Sequence, residues 1–226
     1  MLRARNIGRS HRSLRALHPS VKNGALVQLE SALERDFCCL LEFGPDIGGY
    51  DEQPVTIEYE SEGCTRRYTP DFLVRYVDGH PNVLAEVKYR ADLRANWAVL
   101  KPKFRAAKRY AADRGWEFRL YTEAEIQTHY LRSAKFLLRF KNPFTPVRPE
   151  YRQLLLEIMA QIDSSTPTEV LLIAFQDPAR QAELLPVLWH LVSQGIIGCN
   201  LYQPLTMQSQ LWSVNWPFTS PTNEQN

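Results

Sequence analysis

Between residues 55 and 89 the chain alternates apolar and polar residues in short runs, each closed by a tight turn signal. Val55, Ile57 and Tyr59 share one parity, and Glu62-Gly63 turns the chain into a second run over 66–77. Gly79-His80-Pro81 turns it again, and Val83, Ala85 and Val87 share one face of a third run that ends near Tyr89. Period-2 alternation with connections this short predicts an antiparallel meander of three strands. Helices flank it. Ser31 opens a helix in which Leu33, Phe37, Leu40 and Leu41 recur at helical spacing until Gly44-Pro45 stops it. Residues 92–114 are helical again, with Pro102 expected to divide them. Glu117–Tyr121 reads as a fourth strand, and its helical connection calls for a parallel crossover. Thr122 and Glu125 stand at capping-box spacing for one more helix. The order is αβββαβ, an α/β fold.

The length of 226 residues suits one large domain or two modest ones. No apolar run approaches the ~18 residues of a membrane span, and the opening MLRARNIGRSHR lacks the apolar core of a secretion signal. Four cysteines without CxxC spacing predict reduced thiols in a cytosolic protein rather than a zinc site or a disulfide framework. Residues 1–29 have no period and read as a basic N-terminal arm, and 30–142 hold the αβββαβ core. Residues 143–149 lie in the Pro-rich stretch NPFTPVRP and read as a linker. Residues 150–226 contain helical patterns at 150–162, 167–175 and 178–194, then strand-like 196–201 and 211–214, the plan of a winged helix with a flexible tail. Charge follows these borders: +6 over 1–29, −9 over 30–87, +10 over 88–152 and −5 over 153–226. Such blocks suit separate surfaces for a polyanion, for a cation and for a protein partner. Arg94, Lys101, Lys103, Arg105 and Lys108 on the second helix are the candidate phosphate contacts. Residues 178–194 offer only Arg180, so the C-terminal domain is expected to dock on protein rather than read DNA.

The chemistry concentrates in Tyr68-Thr69-Pro70-Asp71-Phe72 and in Glu86-Val87-Lys88. Glu86 and Lys88 share parity and project from one strand face, ~6–7 Å apart along the backbone. Asp71 on the antiparallel neighbour can come beside Glu86. Two carboxylates and an ammonium suit phosphodiester hydrolysis, since hard oxygen ligands hold Mg²⁺, which neutralises phosphate charge and acidifies a bound water. Lys88 can orient that water or stabilise the developing charge. Glu34 has two readings. Three residues after Ser31, it fits a capping box; at the border of the apolar stripe, it can also look toward the sheet edge.

This pattern resembles the PD-(D/E)xK nuclease superfamily, whose core is αβββαβ. With SALERDFCCLLEF (31–43) and Asn96-Trp97…Lys101-Pro102-Lys103-Phe104 added, the chain resembles the TnsA family, endonuclease subunits of Tns-type heteromeric transposases, including CRISPR-associated forms. The resemblance implies a restriction-endonuclease-like fold and Mg²⁺, with Mn²⁺ as a substitute, held by Glu34, Asp71 and Glu86, and catalysis by these residues with Lys88. It further implies cleavage of the non-transferred strand at transposon 5′ ends in double-stranded DNA. The partners it implies are a TnsB-like DDE transposase and a TnsC-like ATPase, the latter through the C-terminal domain, in a bacterial cytoplasm near the nucleoid. The alternatives are a catalytically idle DNA-binding adaptor and a stand-alone restriction or repair nuclease.

Overall fold

The computed structural model describes residues 16–141 and 147–214. The first fifteen residues of the expected basic arm, most of the expected linker and the expected flexible tail lie outside the described residues. The chain divides into two compact units, Met1–Leu131 and Arg132–Asn226.

The first unit opens with a hairpin, β1 (Ala16–Ser20) and β2 (Ala25–Leu29), followed by α1 (Ala32–Phe43). The hairpin corrects the reading of 1–29 as wholly unstructured: Val27 and Leu29 are buried, and a buried glutamate of α1 anchors the turn. Glu42 accepts hydrogen bonds from the Ser20 hydroxyl, from the Tyr50 hydroxyl at 2.7 Å and from the Val21 and Lys22 backbone N–H groups at 3.2 and 3.4 Å. Ser31 caps α1 by accepting from the Glu34 N–H, and the Gly44 N–H closes its other end on Leu40 O.

The sheet has the order β3 (Ile47–Glu52), β6 (Phe72–Tyr76), β7 (Val83–Val87), β8 (Glu117–Tyr121). β6 is antiparallel to β3 and β7, and β8 is parallel to β7. Helix, three antiparallel strands, helix and parallel strand therefore occur in the expected order, but two of the strands differ. The segment expected as the first strand and the start of the second form a hairpin of their own, β4 (Ile57–Ser61) with β5 (Cys64–Tyr68), and the rest of the expected 66–77 strand is β6. Pro70, which has no N–H for a ladder, separates β5 from β6. The true first strand is β3. Gly48-Gly49 hide its alternation, and the register shifts between Ile47 and Gly49. A Cβ at Gly48 would lie 2.9 Å from Val77 Cγ1, so the close approach of β3 to the chain beyond β6 favours glycine there.

The helix α2 (Arg90–Ala112) continues through Pro102, and its non-helical residue is Asn96. The Asn96 amide donates to Asp92 O at 3.2 Å, which closes the first segment. The expected division at Pro102 is thus displaced to Asn96. Every residue of β7 is buried. On one face Phe37 of α1 packs on Phe72 and Tyr121 with ring centroids 5.5 and 4.6 Å apart. On the other, Leu73 and Leu84 cluster with Phe104, Ala107 and Ala111 of α2 and with Tyr68 and Ile57 of the hairpin. A short α3 (Glu123–Ile126), started by the expected Thr122–Glu125 capping box, leads to α4 (His129–Leu137). Cys38 and Cys39 are buried, Cys64 is exposed at the hairpin, and all four cysteines are free.

The second unit contains α5 (Pro149–Gln161), β9 (Ser164–Ser165), α6 (Pro167–Ala174), α7 (Pro178–Ser193), β10 (Ile197–Cys199) and β11 (Leu211–Ser213). The strands form a small antiparallel sheet with β11 central. Leu155, Met159, Leu184, Leu188, Leu191 and Leu211 are among the unit's buried core side chains. This unit begins ahead of the Pro-rich segment, because Phe136 packs edge-on to Trp189 at 5.2 Å and the His190 Nδ1–H donates to Phe140 O at 2.7 Å. Trp189 and His190 are therefore structural. No helix among the described residues is long and apolar enough to cross a membrane.

Because Glu42 is the shared acceptor of the hairpin turn and Tyr50, Glu42→Ala should lower stability by about 2–3 kcal/mol and expose the hairpin to proteolysis. Urea denaturation and limited trypsinolysis measure both; an unchanged midpoint would contradict the anchoring role.

Candidate active site

The register pairs Phe72 with Ala85 across β6 and β7, which sets Asp71 opposite Glu86 at the end of the ladder. Asp71 Oδ2 accepts the Val87 N–H at 2.7 Å, and Asp71 O accepts from Gln53 N at 2.8 Å. The residue that follows Pro70 is thereby fixed from both neighbouring strands.

Glu86 shares parity with Leu84, so its side chain turns toward α2. It is 2% exposed, not set on an open edge as the sequence suggests. The Tyr68 hydroxyl donates to Oε2 at 2.6 Å, the Lys103 ammonium donates to Oε1 at 3.1 Å, and the Lys88 ammonium stands 3.5 Å from Oε1. Lys103 also lies 4.4 Å from the Tyr68 ring centroid. Tyr68 and Lys103 are thus members of the site that the motif reading did not place there. The signal for Lys103 was present: Leu100, Lys103, Phe104, Ala107 and Ala111 form one helical stripe, and a lysine on an apolar stripe needs a buried partner.

Glu34 serves the helix cap with both carboxylate oxygens. Its Oε2 accepts from the Glu30 N–H and its Oε1 from the Ser31 hydroxyl, each at 2.8 Å. It also lies within the electrostatic field of Asp71 and Lys88. Burial raises its pKa, against the opposing pull of those hydrogen bonds and of Lys88. Asp71 is raised well above the ordinary carboxylate range, first by burial, then by the negative charge of Glu86 and of Glu34. Burial beside Glu86 likewise pushes the Tyr68 phenol up, keeping it a hydrogen-bond donor.

Accumulated negative charge and an all-oxygen donor set fit a hard dication. Among the described residues no three His, Cys, Asp or Glu side chains gather as a ligand set, and both Glu34 oxygens already serve the helix cap. The residues therefore fit a cation held by Asp71 and Glu86, with Glu34 acting on it through its charge.

The candidate phosphate contacts separate. Lys101, Arg105 and Lys108 are exposed on α2, seven residues apart at most. Arg94 is exposed on the segment before Asn96, and Lys103 is turned inward. Trp97 is 47% exposed, while its ring stays 6.1 Å from Phe104.

Residues 44–123 match the family described as TnsA-like endonuclease N terminal. The matched segment holds Tyr68, Asp71, Glu86, Lys88 and Lys103, and over it the chain is similar to TnsA-like endonucleases. No curated protein shows a significant match.

The raised Asp71 carboxyl predicts a pH signature. Its folded pKa exceeds its unfolded value of about 3.9, so the folded state binds the proton more tightly. The metal-free protein should lose stability as pH rises from about 4 through the folded titration of Asp71. Asp71→Asn keeps an acceptor for Val87 N–H and removes the charge. It should melt above wild type at neutral pH in EDTA, with the gap closing near pH 4. Equal melting temperatures across that range would contradict the assignment.

Proposed function

From the match of residues 44–123 to the TnsA-like endonuclease N-terminal family, we propose that the protein hydrolyses DNA phosphodiesters at transposon ends. In this reading it cuts the non-transferred strand at the 5′ ends, using Mg²⁺ or Mn²⁺ held by Asp71 and Glu86. The observation that carries the reading is the meeting of Asp71, Glu86 and Lys88 at the end of one strand pair within the matched segment.

A dication bound there supplies charge neutralisation of the phosphate and a more acidic water. The chain's own residues do the rest. Val87 N–H and the neighbouring strands hold Asp71 in place, and Tyr68 fixes the rotamer of Glu86 through its hydroxyl. The Lys88 side chain, 28% exposed, spans the buried carboxylate and the open side, so its ammonium can stabilise negative charge that develops on the phosphate. Lys101, Arg105 and Lys108 grip backbone phosphates without reading bases.

The second unit, with its helices followed by a small sheet, is taken as a winged-helix-like docking domain. Beyond Arg152 its single arginine, Arg180, lies over the Phe175 ring at 3.7 Å. With a net charge of −5 over residues 153–226, this part of the chain is suited to a protein partner, proposed as a TnsC-like ATPase. A TnsB-like DDE transposase would cut and join the 3′ ends.

Strand-resolved cleavage of end-labelled transposon DNA with Mg²⁺ and the partner transposase tests this. Asp71→Ala and Glu86→Ala should abolish 5′ cuts and leave 3′ cuts, and Lys88→Ala should reduce the 5′ rate by about 10²-fold or more. Wild-type 5′ cutting by Asp71→Ala or Glu86→Ala would overturn the proposal. Glu34→Gln should melt within a few degrees of wild type yet cut more slowly, because it keeps an acceptor for the cap and loses the charge; full activity would reduce Glu34 to a cap.

A further inference from the structure

Glu86 carries more positive charge than it needs. Lys88, two residues away on the same face, already stands 3.5 Å from Oε1. Lys103 reaches the same oxygen at 3.1 Å from a different element, with its side chain only 19% exposed. Its ammonium lies 4.4 and 5.1 Å from the Tyr68 and Phe104 ring centroids. Withdrawing a second ammonium from water is costly, and one lysine suffices to neutralise one carboxylate. The rings recover part of that cost by receiving the cation on their faces. Across the register, Asp71 takes a backbone N–H, and among the described residues Lys88 acts on it through its charge. The surplus cation sits on one of the two carboxylates proposed to hold the dication.

We infer that Lys103 is the resident cation of this site: its ammonium holds Glu86 when no dication is bound and yields that carboxylate to a dication binding at Asp71 and Glu86. This rests on the metal-site reading above. Two cations that use one anion weaken each other reciprocally, so the loss of either tightens the other. In a nuclease site the released ammonium can turn to the anionic DNA backbone. Metal entry and phosphate capture are thereby coupled through one side chain. Lys103 thus belongs to the site rather than to the exposed row of Lys101, Arg105 and Lys108.

The test is Mn²⁺ binding to the full chain without DNA, followed by calorimetry or by the electron paramagnetic resonance of free Mn²⁺. Lys103→Met should bind Mn²⁺ at least about fivefold more tightly than wild type, the lower end of ordinary coupling. Lys103→Arg, which keeps the charge, should bind near wild type. Unchanged or weaker binding by Lys103→Met, while Asp71→Ala abolishes binding, would overturn the inference and leave the metal site standing. No Mn²⁺ binding by wild type, or undiminished binding by Asp71→Ala, would overturn both. A second measurement does not depend on the methionine variant folding. In the ¹³C-methylated wild-type chain, the Lys103 resonance, assigned by its loss in Lys103→Arg, should shift on Mg²⁺ addition; a resonance that stays still would also overturn the inference.

Discussion

A carboxylate with almost no exposure at the centre of the sheet governs the first unit. Glu86 can be buried only because Tyr68, Lys88 and Lys103 bring donors to it from three elements. Each partner needs its own scaffold. Tyr68 requires the β4–β5 hairpin to fold over the face of β7, Lys103 requires α2 to run unbroken past Pro102, and Lys88 requires β7 to extend beyond its ladder. Removing one partner leaves charge or hydroxyl uncompensated in a low-dielectric setting, so the site and the packing stand together. The strain of like charge between Asp71, Glu86 and Glu34 is what a nuclease site would be expected to store in exchange for cation binding.

The parts of the fold that were legible in the sequence rest on local chemistry. Ser31 and Gly44 end α1, Thr122 and Glu125 start α3, and Val83–Val87 show a buried face by parity. The parts that were not legible depend on partners far away in sequence. Gly48-Gly49 gave no alternation, so β3 was invisible until β6 lay against it. Pro70 lies inside the single run expected over 66–77 but separates two sheets. The hairpin of 16–29 depends on Glu42 and Asn23, which bonds both the N–H and the carbonyl of Tyr50.

The candidate site divides in the same way. Asp71, Glu86 and Lys88 could be read from parity and a turn, because strand geometry alone brings them together. That Glu86 would be buried could not, since its cover comes from α2 and Tyr68. Lys103 illustrates how counting charges along a helix misleads. Its neighbours Lys101 and Arg105 face water, while one step of 100° places Lys103 on the stripe of Leu100, Phe104 and Ala107. Glu34 shows the converse: a motif with two readings in sequence serves the cap with its oxygens, while its charge raises the pKa of Asp71.

Anomalous diffraction from crystals of the full chain grown with Mn²⁺ tests the central claim most directly, that the buried carboxylate pair is a cation site. A peak between the Asp71 and Glu86 carboxylates, with the Lys103 ammonium moved off Oε1, is the expected result. Mn²⁺ bound only elsewhere, with Glu86 still held by both lysines, would contradict it.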